Sequence, residues 1–303
     1  MGAIRKMCII DGKKIAEGIL EGLKQMPKPK KFLAAFSVVP DEATKKFLGE
    51  KKRMAGSLGV DFRLYEFKEN ITQDELRKEI LKVVLGSACG GAIIQLPLPD
   101  HIDAQYVLNA IPREKDVDVL GERALGAFYA GRNPVLPPAV AVVKKLLTTN
   151  NLQLTILTAA VVGLGRLVGK PVAHWFQGRC ENLFLLDKGS DFSVLKNADI
   201  VVCGAGDPGI VTPDMLKDDA LVIDFGYGVK DGPPSHKASE GQRKLMGDFN
   251  PSFVVGRESS VSFTPTPGGT GPILVAKLFE NFYALAEAQK PAKKKSKFYP
   301  QIH

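Results

Sequence analysis

A glycine-rich turn is the first pattern in the sequence with a chemical meaning. Gly163, Gly165 and Gly169 stand between an apolar run that predicts a strand and a segment that predicts a helix. Glycines there let the backbone turn tightly and approach a pyrophosphate, whose charge the helix N-terminus stabilises. Asp187 ends the next apolar run, 24 residues after Gly163, where an acid could bind a ribose hydroxyl. The pattern predicts a dinucleotide site, although the spacing G-x-G-x-x-x-G also fits a structural turn that caps a helix.

The spacing of other reactive residues supports no further chemistry. The four histidines are far apart in the sequence and lack the spacing of metal ligands, so we predict no metal site. No serine or cysteine lies in a recognisable nucleophile motif. We interpret His174, on the predicted helix after the glycine turn, as a packing residue. The histidines are His101, His174, His236 and His303.

Length and composition are those of a globular protein. A chain of 303 residues is long enough for two domains, at roughly 100–200 residues each. Its 45% hydrophobic and 24% charged residues exclude a disordered, coiled-coil or collagen-like class. We expect no membrane span and no signal peptide, because no apolar run reaches the roughly 18–20 residues of a spanning helix. The four scattered cysteines favour reduced thiols and a cytoplasmic location.

The basic charge of the chain is concentrated at its C-terminal end. The net charge is +8, and five of the lysines fall within residues 290–297, so the remainder carries 8 − 5 = +3. A local excess of this kind favours a flexible solvated tail over residues 290–303. A nucleic-acid-binding arm is the alternative, and we expect no nucleic-acid partner.

Strands and helices are predicted to alternate along the whole chain. In the first part, helical periodicity predicts helices over residues 11–26, 41–58 and 72–85, the last opened by a Thr72/Glu75 capping box. Apolar runs predict strands over residues 32–39, 60–67 and 90–96.

A second series of elements follows a passage rich in glycine and proline over residues 121–138. It comprises helices at residues 138–147 and 271–288 and apolar strands at residues 154–163, 182–187, 198–206 and 220–226. Strands separated by helices form βαβ units with a mainly parallel sheet. The sequence therefore predicts an α/β protein whose second part is a doubly wound nucleotide-binding domain.

Three segments carry a resemblance to a known family. They are GAIIQLPLPDHID, PREKDVDVL and TPTPGGTGPILVAKLFEN, and their combinations of glutamine, proline and glycine are long and unusual. With the order of elements from Ile9 to Asn281, they resemble the bifunctional methylenetetrahydrofolate dehydrogenase/methenyltetrahydrofolate cyclohydrolase enzymes. These enzymes oxidise 5,10-methylenetetrahydrofolate with a nicotinamide cofactor and hydrolyse the methenyl product to 10-formyltetrahydrofolate.

The resemblance implies a particular domain arrangement. A three-layer α/β catalytic domain would comprise residues 1–122 together with 272–289, because the last helix would return to it. A Rossmann-type NAD(P)-binding domain would comprise residues 123–271. Folate and cofactor would share the cleft between the domains, and the protein would be a homodimer.

The resemblance also implies site residues. Lys51 would activate water or handle a proton, Gln95 would orient Lys51, and Asp118 would accept a hydrogen bond from the pterin. We expect the neighbouring Asp116 to brace the loop. The further substrate contacts would be Phe47, Leu96, Pro267, Gly268, Gly269, Thr270 and Gly271. The cofactor contacts would be Gly163, Leu164, Gly165, Arg166, Asp187, Lys188, Tyr227 and Thr264.

Several positions depart from the family pattern. The Ser-x-x-Tyr-x-x-x-Lys motif has Thr44 and Phe47 in place of its serine and tyrosine, and Val119 replaces a glycine. A Pro-Cys-Thr-Pro-x-Gly stretch is altered at residues 134–139.

Two further departures concern the cofactor. Leu164 replaces the arginine expected beside a 2′-phosphate, and Asp187 adds a negative charge there. NADP is typical of bacterial members of the family, but these two changes favour NAD because like charges repel. Arg166 and Lys188 are possible substitute phosphate contacts.

Three alternatives stay open at this point. The changes at Phe47 and residues 134–139 could leave only one of the two activities. The chain could also be a noncatalytic nucleotide- or folate-binding relative, although a binder needs no water-activating lysine. A nucleic-acid-binding protein is supported only by the basic tail.

Overall fold

A computed structural model describes residues 8–40, 42–231, 243–253 and 260–289. The basic tail over residues 290–303, His236 and His303 lie outside this part of the chain. Within it, no helix combines the length and hydropathy needed to cross a membrane.

Helices and strands alternate through most of the described chain. The α-helices are α1 (Gly12–Lys24), α2 (Glu42–Leu58), α3 (Gln73–Val84), α4 (Ala104–Leu108), α5 (Glu122–Tyr129), α6 (Pro138–Thr149), α7 (Gly169–Phe176) and α8 (Thr270–Ala288). The strands are β1 (Cys8–Ile9), β2 (Phe32–Val38), β3 (Phe62–Phe67), β4 (Cys89–Ile94), β5 (Thr158–Val162), β6 (Asn182–Leu186), β7 (Ile200–Cys203), β8 (Leu221–Asp224), β9 (Gly228–Asp231), β10 (Arg243–Met246) and β11 (Ser262–Phe263).

Side-chain caps fix the starts of the first helices. The Asp11 carboxylate accepts the backbone N–H groups of Lys13 and Lys14 and so begins α1. At α3, Thr72 and Glu75 exchange the reciprocal bonds of a capping box, as the sequence predicts. Such caps satisfy N–H groups that have no partner inside the helix.

The first part of the chain forms a three-layer unit around a small sheet. Its strands are parallel in the order β3-β2-β4. Leu33 and Ala35 on one face of β2 pack in a core with residues of α1, α2 and α8, whereas Ala34 and Phe36 pack on the other face with α3 and α4. Both faces are covered, so β2 is buried along its whole length.

The second part contains a six-stranded parallel sheet in the order β1-β11-β8-β7-β5-β6. Ala159 and Val161 of β5 face the helical layer of α6 and α7, while Ala160 and Val162 face the opposite core. Short 3-10 helices, rather than α-helices, contribute much of that second face. The chain is thus an α/β protein with a Rossmann-type second sheet, as predicted.

The edge strand β1 does not follow the predicted domain boundary. Cys8 and Ile9 lie opposite Ser262 and Phe263 of β11 in the large sheet, although the boundary assigns residues 1–122 to the first domain. The sequence gives little indication of this strand, because a strand of two residues is too short to show a pattern. Its partner also lies about 250 residues further along the chain.

Helix α8 joins the two parts. The side-chain amide of Asn281 donates hydrogen bonds to the carbonyl oxygens of Val117 and Leu136. The amide of Gln289, just after the helix, donates to those of Gly90 and Glu114. The last helix therefore returns to the first part of the chain.

Three local predictions differ from the structure. The passage over residues 121–138 contains helix α5, and the hairpin of β9 and β10 was not predicted. The strand predicted from residue 154 begins at Thr158, after a 3-10 turn at Leu154–Ile156. Helix α5 is amphipathic but only eight residues long, so the neighbouring glycines and prolines hide its periodicity.

Candidate active site

Three side chains from separate segments meet on the first domain. Lys51 lies on α2, Gln95 directly follows β4, and Asp118 lies in the turn beyond. The Lys51 Nζ donates to Gln95 Oε1 at 2.9 Å. The Gln95 Nε2 donates to the Leu96 carbonyl oxygen at 2.9 Å, which fixes the amide with its oxygen towards the lysine. The structure thus brings together the predicted Lys51, Gln95 and Asp118, with Leu96 holding the amide.

Burial shifts the pKa values of Lys51 and Asp118. Removal of Lys51 from water lowers its pKa, and the nearby Asp118 carboxylate only partly opposes that effect. Burial also raises the pKa of Asp118, while the lysine lowers it. Desolvation disfavours the charged form of each group. Lys51 therefore loses its proton to become a neutral amine at a lower pH than an exposed lysine does.

The turn that carries Asp118 is held from within. The Asp116 carboxylate Oδ2 accepts the backbone N–H groups of Leu120 and Gly121, at 3.0 and 2.8 Å. Val119, which lies between Asp116 and Leu120, has a φ of +57°. This left-handed conformation is strained for a β-branched residue. Asp116 braces the loop as the sequence predicts, and the strain occurs where the family pattern has glycine.

The buried Asp116 is expected to make stability depend on pH. Burial raises the pKa of Asp116 to about 7, so between about pH 4 and 7 the folded chain keeps a proton that the unfolded chain releases. The free energy of unfolding then falls as pH rises, by at most about 1.4 kcal/mol per pH unit from this group. Urea unfolding across this range should show a weaker pH dependence for Asp116→Asn than for the wild type. The exposed-site control Asp100→Asn should behave as the wild type; an unchanged slope in Asp116→Asn would contradict the assignment.

A cavity of about 690 Å³ is lined in part by residues of α2, the helix that carries Lys51. One wall is the segment of residues 265–272, which contains the predicted substrate contacts Pro267, Gly268, Gly269, Thr270 and Gly271. Phe47 also lines the cavity, and the centroid of its ring is 5.6 Å from that of Tyr227. Tyr227, expected on the cofactor side, therefore lies beside a predicted substrate contact.

The predicted substrate residues form two neighbouring sets, those that line this cavity and those that do not. Lys51, Gln95 and Asp118 do not line it, whereas Phe47, one helical turn before Lys51 on α2, does. Residues four apart lie on the same helix face. Phe47 is thus the member of the set that connects the lysine cluster with the cavity.

The glycine turn between β5 and α7 has different packing at each glycine. A Cβ on Gly163 would lie 2.4 Å from Ala205 Cα, and one on Gly169 would lie 1.9 Å from the Gly163 carbonyl oxygen. Packing therefore requires glycine at both positions. A Cβ on Gly165 would be 3.8 Å from its nearest neighbour, so packing permits a side chain there. An open backbone at the middle glycine fits the approach of a dinucleotide pyrophosphate.

Alanine substitutions should separate these two kinds of glycine. We expect Gly165→Ala to unfold at the wild-type urea concentration but to bind dinucleotide about tenfold or more weakly, because its Cβ occupies the approach to the backbone. Gly169→Ala should lose about 1–3 kcal/mol of stability by overpacking. Calorimetry and urea unfolding measure the two effects, with Gly18→Ala on α1 as the control. Wild-type dinucleotide affinity in Gly165→Ala would contradict the proposed approach.

The predicted ribose end lies beside this turn. The Gly163 N–H donates to the Leu186 carbonyl oxygen at 2.8 Å, and Asp187 follows directly, with an exposed side chain. Lys188 is also exposed, and its N–H donates to Asp187 Oδ1. Leu164 is partly buried against the core. The acid is thus placed where the sequence predicts, at the end of the strand next to β5.

Two predicted residues have other contacts. Thr264 is 1% exposed and its hydroxyl accepts the Asp224 N–H, so the structure does not support it as a cofactor contact. The sequence places it near the glycine-rich segment but cannot show that its hydroxyl is used inside the sheet. The guanidinium of Arg166 donates through Nη1 to Gln105 Oε1 of α4 at 3.0 Å. His174 packs against the rings of Phe128 and Tyr129, as predicted.

Two buried acids were not predicted. The Asp224 carboxylate accepts the N–H groups of Asp248 and Phe249, and Asp248 accepts those of Ala205 and Gly206. Burial raises the pKa of both acids. They tie together the loops after β7, β8 and β10 at the carboxyl edge of the large sheet. The signal in the sequence that could have identified them is an acidic residue at the end of an apolar strand.

Comparisons with known proteins agree with this architecture. Residues 10–118 match the tetrahydrofolate dehydrogenase/cyclohydrolase catalytic domain, and residues 137–290 match the NAD(P)-binding domain of the same family. The bifunctional protein FolD of Agathobacter rectalis is 34% identical over 90% of this chain and 96% of its own length. FolD of Wolbachia sp. subsp. Brugia malayi is 32% identical over 93% of this chain and 96% of its own length.

Solved structures show the same fold. FolD of Trypanosoma brucei, an N5,N10-methylenetetrahydrofolate dehydrogenase-cyclohydrolase complexed with NADP cofactor and inhibitor, superposes with a TM-score of 0.83 at 27% identity. It covers 93% of this chain and 98% of its own. FolD of Campylobacter jejuni has a TM-score of 0.80 at 28% identity, covering 93% and 99%. Together with the two domain matches, these similarities show that the chain belongs to the tetrahydrofolate dehydrogenase/cyclohydrolase family.

Proposed function

We propose that this protein catalyses two successive steps of one-carbon folate metabolism. It oxidises 5,10-methylenetetrahydrofolate to the 5,10-methenyl cation, and then hydrolyses that cation to 10-formyltetrahydrofolate. The observation that carries the proposal is the hydrogen-bonded, desolvated Lys51–Gln95 pair next to Asp118, in a chain that belongs to this family. A bound NAD(P)+ supplies the acceptor for the hydride that leaves the methylene carbon.

Lys51 is the proposed catalytic residue of the hydrolytic step. Water adds to the methenyl carbon and loses a proton. The hydroxyl so formed then gives up its own proton as the carbon–N5 bond breaks, N5 takes up a proton, and the formyl group stays on N10. A lysine with a lowered pKa can, in its neutral form, accept the proton that the water loses. Gln95 holds Nζ in place because its own amide is fixed by the Leu96 carbonyl oxygen.

The remaining substrate contacts are proposed for recognition. Asp118 would accept a hydrogen bond from the pterin, and Phe47 would supply a ring face in the wall of the cavity that residues 265–272 also line. Because Phe47 has no hydroxyl, this ring binds by contact alone. Arg166, Asp187 and Lys188 would surround the dinucleotide at the glycine turn.

We also propose the domain division, assembly and location of the protein. Residues 10–122 with 272–289 would form the folate domain, and residues 123–271 with the β1 strand the nucleotide domain, a division supported by the two sheets and by α8. The homodimer is the assembly that the family resemblance implies, and the four free cysteines support the cytoplasmic location because they are consistent with a reducing compartment. Sedimentation equilibrium would test the dimer.

A direct assay tests the proposed function. Purified protein is given 5,10-methylenetetrahydrofolate with NAD+ or NADP+, and both reduced nicotinamide and methenyl product are followed by absorbance. Separately, the protein is given methenyltetrahydrofolate, and its decay is compared with the uncatalysed rate. Acceleration of both reactions is expected. Acceleration of hydrolysis alone would show a single activity, consistent with the missing hydroxyl at Phe47, and acceleration of neither would overturn the proposal.

A further inference from the structure

A hydrogen-bonded bridge connects the glycine turn with the first domain. Arg166, within the turn, donates from Nη1 to the side-chain oxygen of Gln105 at 3.0 Å. Gln105 lies on α4, which begins at an Asp103 cap, and its side chain is partly buried. A guanidinium has five N–H groups, so this bond leaves others for a further partner such as a phosphate.

The other end of Gln105 reaches the turn that carries Asp118. Its Nε2 donates to Asn109 Oδ1 at 3.2 Å and to the Leu120 carbonyl oxygen at 3.4 Å. Asn109 Oδ1 in turn accepts the Glu122 N–H at 2.8 Å. The amide thus has its oxygen on the nucleotide turn and its nitrogen on the folate side, so one side chain contacts both.

We propose that Gln105 is a positioning residue that connects the dinucleotide turn to the turn carrying Asp118, so that dinucleotide and folate bind cooperatively. The proposal rests on the proposed function, because it names the two ligands of the same cleft. Gln105 lies outside the three segments that carry the family resemblance, and its partner Arg166 lies within the glycine turn.

The turn carrying Asp118 is suited to respond to such a contact. Val119, between Asp118 and Leu120, is held at a φ of +57°, so the observed conformation is strained and depends on the bonds around it. The Leu120 carbonyl oxygen accepts from Gln105, and its N–H donates to Asp116. A ligand that orders Arg166 also orders Gln105, which favours the conformation in which Asp118 is presented. Coupling of this kind must be reciprocal.

Calorimetric titration tests the proposal. NAD+ is titrated into the protein with and without saturating tetrahydrofolate, which lacks the reacting carbon, and tetrahydrofolate is titrated with and without NAD+. In the wild type we expect each ligand to tighten the other by the same factor, about fivefold or more. Gln105→Leu should bring that factor close to one, while the exposed-site control Gln153→Leu should keep it.

A second variant separates bridging from simple support of Arg166. Gln105→Glu keeps an acceptor for the guanidinium but has no N–H for Leu120, so the proposal expects the coupling to be lost there too. Coupling unchanged in Gln105→Leu, or retained in Gln105→Glu, would overturn the inference. Two independently binding ligands in the wild type would also overturn it, while leaving the proposed function intact. A wild-type protein that binds neither ligand would instead contradict the proposed function.

Discussion

Lys51→Met is expected to reduce hydrolysis of methenyltetrahydrofolate by about 10²–10⁴-fold, the usual contribution of a general base. Methionine fills a similar volume but cannot accept a proton from water. The loss should appear in kcat, because the proton is transferred during the reaction rather than on binding. Stopped-flow measurement of methenyl decay provides the rate.

The pH profile of the wild type should carry the same signature. Burial lowers the pKa of Lys51, and the neutral amine is the form that accepts a proton. The hydrolytic rate should therefore rise with pH and level off above the lowered pKa, which lies below the ordinary lysine value. Subtracting the uncatalysed rate at each pH is essential, because hydroxide also opens the methenyl group.

Two further variants make the Lys51 prediction specific. Lys51→Arg keeps a positive charge near Asp118, but a guanidinium stays protonated, so its loss of activity should approach that of Lys51→Met. Lys52→Met removes the neighbouring exposed lysine of α2 and should leave hydrolysis unchanged. Full activity in Lys51→Arg would assign the residue an electrostatic role, and full activity in Lys51→Met would remove it from the mechanism.

The second large effect is expected in the choice of dinucleotide. We expect kcat/KM for NAD+ to exceed that for NADP+ by about tenfold or more, because an acid at Asp187 repels a 2′-phosphate. Asp187 follows β6 beside the glycine turn, and the family's arginine is replaced by the partly buried Leu164. The exposed position of Asp187 means that salt should weaken the preference.

Substitution of the acid provides the measurement. Asp187→Asn keeps an oxygen that can accept the Lys188 N–H but removes the charge, so it should raise kcat/KM for NADP+ while changing that for NAD+ less. Asp218→Asn removes an exposed charge elsewhere in the same domain and should change neither value. A clear NADP+ preference in the wild type would show that Lys188 or Arg166 dominates, contrary to the prediction.

Local sequence signals predict most of the secondary structure. The Thr72/Glu75 capping box operates within three residues of the chain, so the start of α3 can be read directly. The buried strands β2, β5 and β8 appear as short apolar runs because both faces of a covered parallel sheet are apolar. The sequence does not predict the hairpin of β9 and β10, because the pairing depends on contacts between two separate segments rather than on an apolar run within one of them.

The candidate site was predictable only through its motifs. Lys51 taken alone looks like a surface lysine, and Gln95 looks like the end of a strand. Their joint occurrence with Asp118 in family-like segments pointed to one site. The 2.9 Å bond from Lys51 to Gln95, and the fixed amide behind it, come from the tertiary structure alone.

The sequence by itself determined the alternation of strands and helices, the glycine turn and the acid at residue 187, since these depend on neighbours along the chain. Tertiary structure decided that β1 joins β11, that Thr264 is used inside the sheet, and that Gln105 meets Arg166. Each of those contacts joins segments dozens to hundreds of residues apart. These contacts form only when whole helices and strands pack together. The periodicity within one segment does not show which distant segment it will contact.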